Sequence, residues 1–163
     1  MKPKRSSLHW AMEALALLAL IATVLLLAGN WRRLPPIVPI HFGLTGAPNA
    51  WGGKDKLWLL SALSAGLYLF LTIAAKHPSS LNIPSGIDRE HPEVQALLLG
   101  MATTLKAVVL LDILALVWLS IQTALGKSDG LGIWFLPVTL MIFLLVSIGY
   151  WLKLRRYRRE EKT

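Results

Sequence analysis

His41, Asn49 and Lys54 fall within one short stretch, LPPIVPIHFGLTGAPNAWGGK, residues 34–54. An imidazole, an amide and an ammonium within reach of one another could hold an acidic or peptide ligand by hydrogen bonding and charge. The same residue types also suit an ordered cap, with His41 bonded to a backbone carbonyl and Trp51 anchored among lipid headgroups. Thr45 shares the stretch with His41, but no third partner completes a nucleophilic triad. A metal centre does not assemble either. The chain has no cysteine, Asp55 is the only carboxylate nearby, and His9, His77 and His91 lie in other segments, whereas a structural site takes about four ligands. No metal and no cofactor is expected.

A second group of reactive side chains lies inside apolar runs. Glu13, Lys106 and Asp112 are ionisable residues where ionisation is expensive, and such residues often mark function. Lys106 and Asp112 are six residues apart, about 120° around a helix, so they do not share a face. Each must look to another helix, to water or to the interface. Glu13 either stays wetted near a membrane surface or meets Lys106 across helices. Asp112 is the strongest candidate for a buried functional carboxylate, with a structural hydrogen-bonding role as the alternative. Gln122 could add a polar contact beneath the motif stretch.

These residues need elements to position them. Of the 163 residues, 55% are hydrophobic and 16% charged. That leaves too little polar surface for a water-soluble domain of this size. The apolar residues gather into four runs, at about Leu8–Gly29, Leu57–Ala75, Val94–Leu125 and Leu131–Leu152. Each is long enough to cross a bilayer. The expected fold is therefore an all-α integral membrane protein of four helices, a single membrane domain over 1–163. The first run is read as an uncleaved span, because it is span-length and no small-residue cleavage site follows it. Pro92-Glu93 is a natural start for the third helix. Pro137 is expected to bend the fourth, one or two turns inside. Between the first two spans, residues 30–56 form an ordered loop in which Pro39 stiffens the chain before His41, and Gly43 and Gly46 permit tight turns. The connection at 76–93 reads as an ordered linker without a phosphate loop or nucleotide fingerprint, and 153–163 as a basic tail.

The net charge of +8 is not a nucleic-acid signal, because most Lys and Arg flank the apolar runs. Eleven of them fall on the side of both termini (Lys2, Lys4, Arg5, Lys76, Arg89, Lys153, Arg155, Arg156, Arg158, Arg159, Lys162) and five on the other (Arg32, Arg33, Lys54, Lys56, Lys127). The positive-inside rule then places both termini in the cytoplasm and the motif loop outside. Trp10 and Trp151 mark inner ends, and Trp31, Trp51, Trp58 and Trp134 outer ends. Trp118, deeper, is expected to pack between helices, and Tyr157 to rest at the inner headgroups.

The motif stretch resembles the signature of a bacterial membrane family, domain of unknown function 1648. The pattern, about LP-x-x-[IV]-P-x-H-[FW]-x-x-x-G-x-P-D-x-[WY]-G-[ST]-K, is met by Leu34, Pro35, Val38, Pro39, His41, Phe42, Gly46, Pro48, Trp51, Gly52 and Lys54. Asn49 replaces its aspartate and Gly53 its small hydroxyl residue. Asn82-Ile83-Pro84, Ile121-Gln122 and Gly126 are also similar to short stand-alone members. The same domain opens the longer SdpI-type immunity proteins, which protect a cell from its own secreted peptide toxin. The resemblance implies a protein of the bacterial cytoplasmic membrane. It also implies an SdpI-like accessory role in immunity or signalling, through recognition of a peptide or envelope ligand by His41, Asn49, Trp51 and Lys54. Pro35, Pro39, Phe42, Gly46, Pro48 and Gly52 shape the loop. The alternatives are a small proton-coupled transporter or channel using Asp112 and Lys106, and a membrane-embedded enzyme with His41 as general base. Expected partners are the lipid bilayer, such a ligand and a second copy in a homo-oligomer, with no nucleic acid.

Overall fold

The computed structural model describes residues 6–76, 86–88 and 90–160. Much of the linker at 76–93, with its Asn82-Ile83-Pro84, lies outside the described residues, as do Lys2, Lys4, Arg5, His77, Arg89 and Lys162. Four helices are long and apolar enough to cross a membrane, and the chain is a multi-pass membrane protein. They are α1 (Ser7–Asn30), α2 (Leu57–Ala74), α3 (Pro92–Ala124) and α4 (Phe135–Glu160). Ser6 caps α1 by accepting the His9 amide at 3.2 Å, and Pro92 opens α3, where a missing N–H leaves no helical bond unmade.

α3 is the central post. It touches α1, α2, α4 and the segment between α1 and α2. One face of α1 (Ala16, Ala19, Leu27) and the face of α3 carrying Ala107, Leu110, Val117 and Ile121 form the main core. α4 stands at the edge, and its apolar stretch buries no residue. Towards the other end Tyr150 donates to or accepts from Thr104 at 2.9 Å, and Leu154 joins Ile87, Val94 and Leu98 in a second, smaller core. Tyr157 packs against that cluster, with its hydroxyl bonded to Glu93 at 2.7 Å. It therefore pairs with the start of α3.

Residues 37–53 are not an irregular loop but a β-hairpin, β1 (Ile37–Phe42) against β2 (Pro48–Gly53), followed by one 3₁₀ turn at Lys54–Lys56. Alternation is missing from the sequence here because the ladder carries two opposed irregularities. Pro39 pairs with Trp51, His41 with Ala50 and Phe42 with Pro48, so Ile40 and Asn49 are each an extra residue. A lone two-stranded ribbon is marginal in water, so this one needs support. Leu34 and Val38 supply it by joining the core beside Val117 and Ile121. Each such side chain contributes about 1.5–3 kcal/mol when fully buried.

The hairpin tip is latched to the α3–α4 connection. The Gly46 carbonyl accepts the Leu131 amide at 2.8 Å. Gly46 has φ +78°, and a Cβ there would meet the Gly132 carbonyl oxygen at 2.4 Å. This contact also explains why α4 starts at Phe135, four residues later than its apolar run. Gly130 and Gly132 take positive φ to follow the hairpin tip. The later start puts Pro137 in the first turn, where its missing N–H costs no helical hydrogen bond. Trp118 differs from expectation too. It is 48% exposed on the surface of α3 and does not pack between helices. Gln122 is half-buried, and its backbone carbonyl accepts the Lys127 amide at 2.9 Å.

Gly46→Val should destabilise the fold by roughly 1–3 kcal/mol, because it strains an αL position and forces the latch apart. Thermal unfolding in detergent micelles checks this, and proteolysis between residues 43 and 47 should accelerate in the variant alone.

Candidate functional site

Lys54 is the joint of the hairpin. Its amide donates to the Pro36 carbonyl at 3.0 Å, and its ammonium donates to the Trp31 and Leu34 carbonyls at 2.9 and 3.3 Å. It also sits over the Trp31 ring, 4.7 Å from the centroid. The end of α1 has no basic residue in its last turn, so Lys54 supplies the cation that the exposed carbonyls and the helix dipole favour. Trp31 in turn stacks on Trp58 at the start of α2, with centroids 5.9 Å apart. The ammonium expected to face a ligand is thus committed to the frame.

Removing Lys54 from the ligand set leaves His41, Asn49 and Trp51, all exposed. His41 Nδ1 lies 2.5 Å from Asn49 Oδ1. An amide oxygen only accepts, so Nδ1 carries the proton and Nε2 is the free ring atom. His41 therefore bonds a side chain, not the backbone carbonyl of the capping alternative. The double irregularity in the ladder is what brings the two side chains to one face, since Asn49 is the extra residue beside the His41–Ala50 pair. In the family pattern position 49 is an aspartate. Asparagine keeps the acceptor and the tautomer but not the negative charge. Ile37, Ile40, Leu44 and Trp51 leave a broad apolar surface on the same hairpin. Pro39 is fully buried and Phe42, Pro48 and Gly52 half-buried, so these motif positions serve shape.

Two polar sites lie within the bundle. Lys106 is fully buried and donates to both Glu13 carboxylate oxygens at 2.7 Å and to Thr72 at 2.9 Å. Its ammonium also sits 4.7 Å from the Tyr68 ring centroid. All three N–H groups are used, which is the condition under which a buried charge is tolerable. Thr72 and Tyr68 escaped sequence reasoning. Their i, i+4 spacing on α2 signals a shared face but not which charge that face meets. Asp112 faces the other way and accepts from Thr139 on α4 at 2.7 Å. It lies in a cleft of about 440 Å³ between α3 and α4, with Leu111, Ala115, Trp134 and Val138 among its walls. Glu13 and Lys106 are brought together, and Asp112 stands apart from both. Among the described residues no three His, Asp or Glu side chains converge.

Residues 17–65 match the model of a family described as a domain of unknown function, DUF1648. Over this segment the chain is similar to the DUF1648 family. The matched segment runs from α1 through the hairpin to the middle of α2, so the DUF1648 match contains every residue that builds the hairpin but neither Lys106 nor Asp112. No curated protein and no solved structure matches the chain.

Lys106→Met alone leaves the Glu13 carboxylate against apolar neighbours and should cost about 3 kcal/mol of stability. The double variant Glu13→Leu with Lys106→Met should recover most of that loss, as a double-mutant cycle on thermal or denaturant unfolding would show.

Proposed function

We propose that this protein is an SdpI-like accessory protein of the bacterial cytoplasmic membrane, acting in immunity or signalling. In this reading both termini are cytoplasmic and the hairpin is outside, as the eleven-to-five distribution of Lys and Arg favours. The ligand is a peptide or envelope component bound by the exposed hairpin face. The carrying observation is the His41–Asn49 pair, set on a ribbon fastened at its base and its tip, with Nε2 lacking a partner among the described residues.

The chemistry of that face suits an amphipathic peptide. Apolar side chains of the peptide would lie on Ile37, Ile40, Leu44 and Trp51. Its polar groups would meet the His41 Nε2 and the Asn49 amide. A fastened ribbon also binds at a lower ordering cost than a mobile loop. The structural residues Lys54, Val38 and Gly46 act on binding only through the shape they hold.

His41→Ala and Trp51→Ala should each lower protection of a sensitive bacterium against a secreted amphipathic peptide by about tenfold, equivalent to one lost anchor. Melting temperature in micelles should stay within a few degrees of the parent, because both side chains are exposed. Unchanged protection with a folded protein would remove the reading.

A further inference from the structure

We propose that the α3–α4 cleft is a binding site for a lipophilic amine, an alkyl chain ending in a protonated amino group, entering from the lipid phase. This is independent of hairpin recognition and rests on different residues.

The cleft has the size of a small-molecule site, about 440 Å³, within the range of roughly 300–1,000 Å³ for ligand pockets. Its walls are apolar apart from Asp112 and Thr139, with Trp134 and Phe135 at the α4 start. The α4 side of the cleft is exposed on the bundle surface, where a bilayer would set lipid tails against it.

Charge decides the chemistry of the occupant. Asp112 lies twelve residues before the end of α3 at Ala124 and meets α4 at Thr139, one turn past its start. A carboxylate there gains from a partner that brings positive charge and hydrogen-bond donors. Thr139 donates one hydrogen bond to Oδ1, and among the described residues Asp112 has no cationic partner. The nearest buried cation in sequence, Lys106, is spent on Glu13 and Thr72 on a different face of α3. An ammonium is therefore the complementary group, and an apolar chain fills the rest of the cleft.

The probe for the test is a terminally brominated long-chain primary alkylamine, added to the full chain in nanodiscs. Quenching is read as the fluorescence component lost in Trp134→Phe. Saturable quenching of that component is expected, absent with the brominated alcohol of equal length. Asp112→Asn, which still accepts from Thr139, should weaken the apparent affinity about tenfold or more, as one charge-assisted hydrogen bond is lost. Ala115→Phe fills the cleft without touching Asp112 and should abolish saturation. Both variants are first checked for parental melting. If either fails that check, Val138→Phe replaces Ala115→Phe and Asp112→Glu replaces Asp112→Asn, with retention of amine selectivity expected for the glutamate. Equal quenching by amine and alcohol would show an acyl-chain cleft only, and would overturn the proposal. So would no saturable quenching, or full affinity in Asp112→Asn.

Discussion

The structure depends on the ammonium of Lys54 at the carbonyl end of α1. Its ammonium reaches back twenty-three residues to the Trp31 carbonyl and twenty to that of Leu34, closing the base of the hairpin on the helix from which it springs. Carbonyl oxygens at a helix C-terminus carry partial negative charge and lack intrahelical donors. A lysine arriving from the turn after β2 answers both needs with one group. It also fixes where α2 begins, since the 3₁₀ turn that leads into α2 starts at Lys54 itself. The Gly46–Leu131 bond does the corresponding work at the tip. Between these two points the hairpin has little freedom, and His41 and Asn49 inherit that order.

Two polar contacts inside the bundle tie the helices to one another. Lys106 takes Glu13 from α1 and Thr72 from α2, so one side chain of α3 ties three helices at a single level. Asp112 ties α3 to α4 through Thr139. An unpaired charge within the bilayer is costly, and pairing across helices turns that cost into a preference for one helix arrangement. α4 depends on this more than the others, because its apolar face buries so little.

The four spans were legible in the sequence because length and apolarity alone make a membrane helix, and α1 and α2 end within a residue of the expected positions. The Glu13–Lys106 contact was legible as well, since both lie in the same half of the membrane. The hairpin was not. A ribbon is read from alternation, and Pro39, Pro48 and the extra residues Ile40 and Asn49 erase it. Nor could the role of Lys54 be read, because a lysine beside tryptophans is equally the mark of an interface anchor. The start of α4 was misplaced for a reason outside its own residues. The backbone at Leu131 is claimed by a carbonyl eighty-five residues earlier. Trp118 and Asp112 show the same limit, since the third run is apolar all round and its faces are decided by partners.

The most direct measurement is a spin–spin distance between labels at Leu44→Cys and Asp129→Cys, possible without background because the natural chain has no cysteine. In nanodiscs a latched hairpin gives one narrow distribution, and Lys54→Met broadens it. A broad distribution in the parent, or one unchanged by Lys54→Met, would contradict a hairpin held in place by that ammonium.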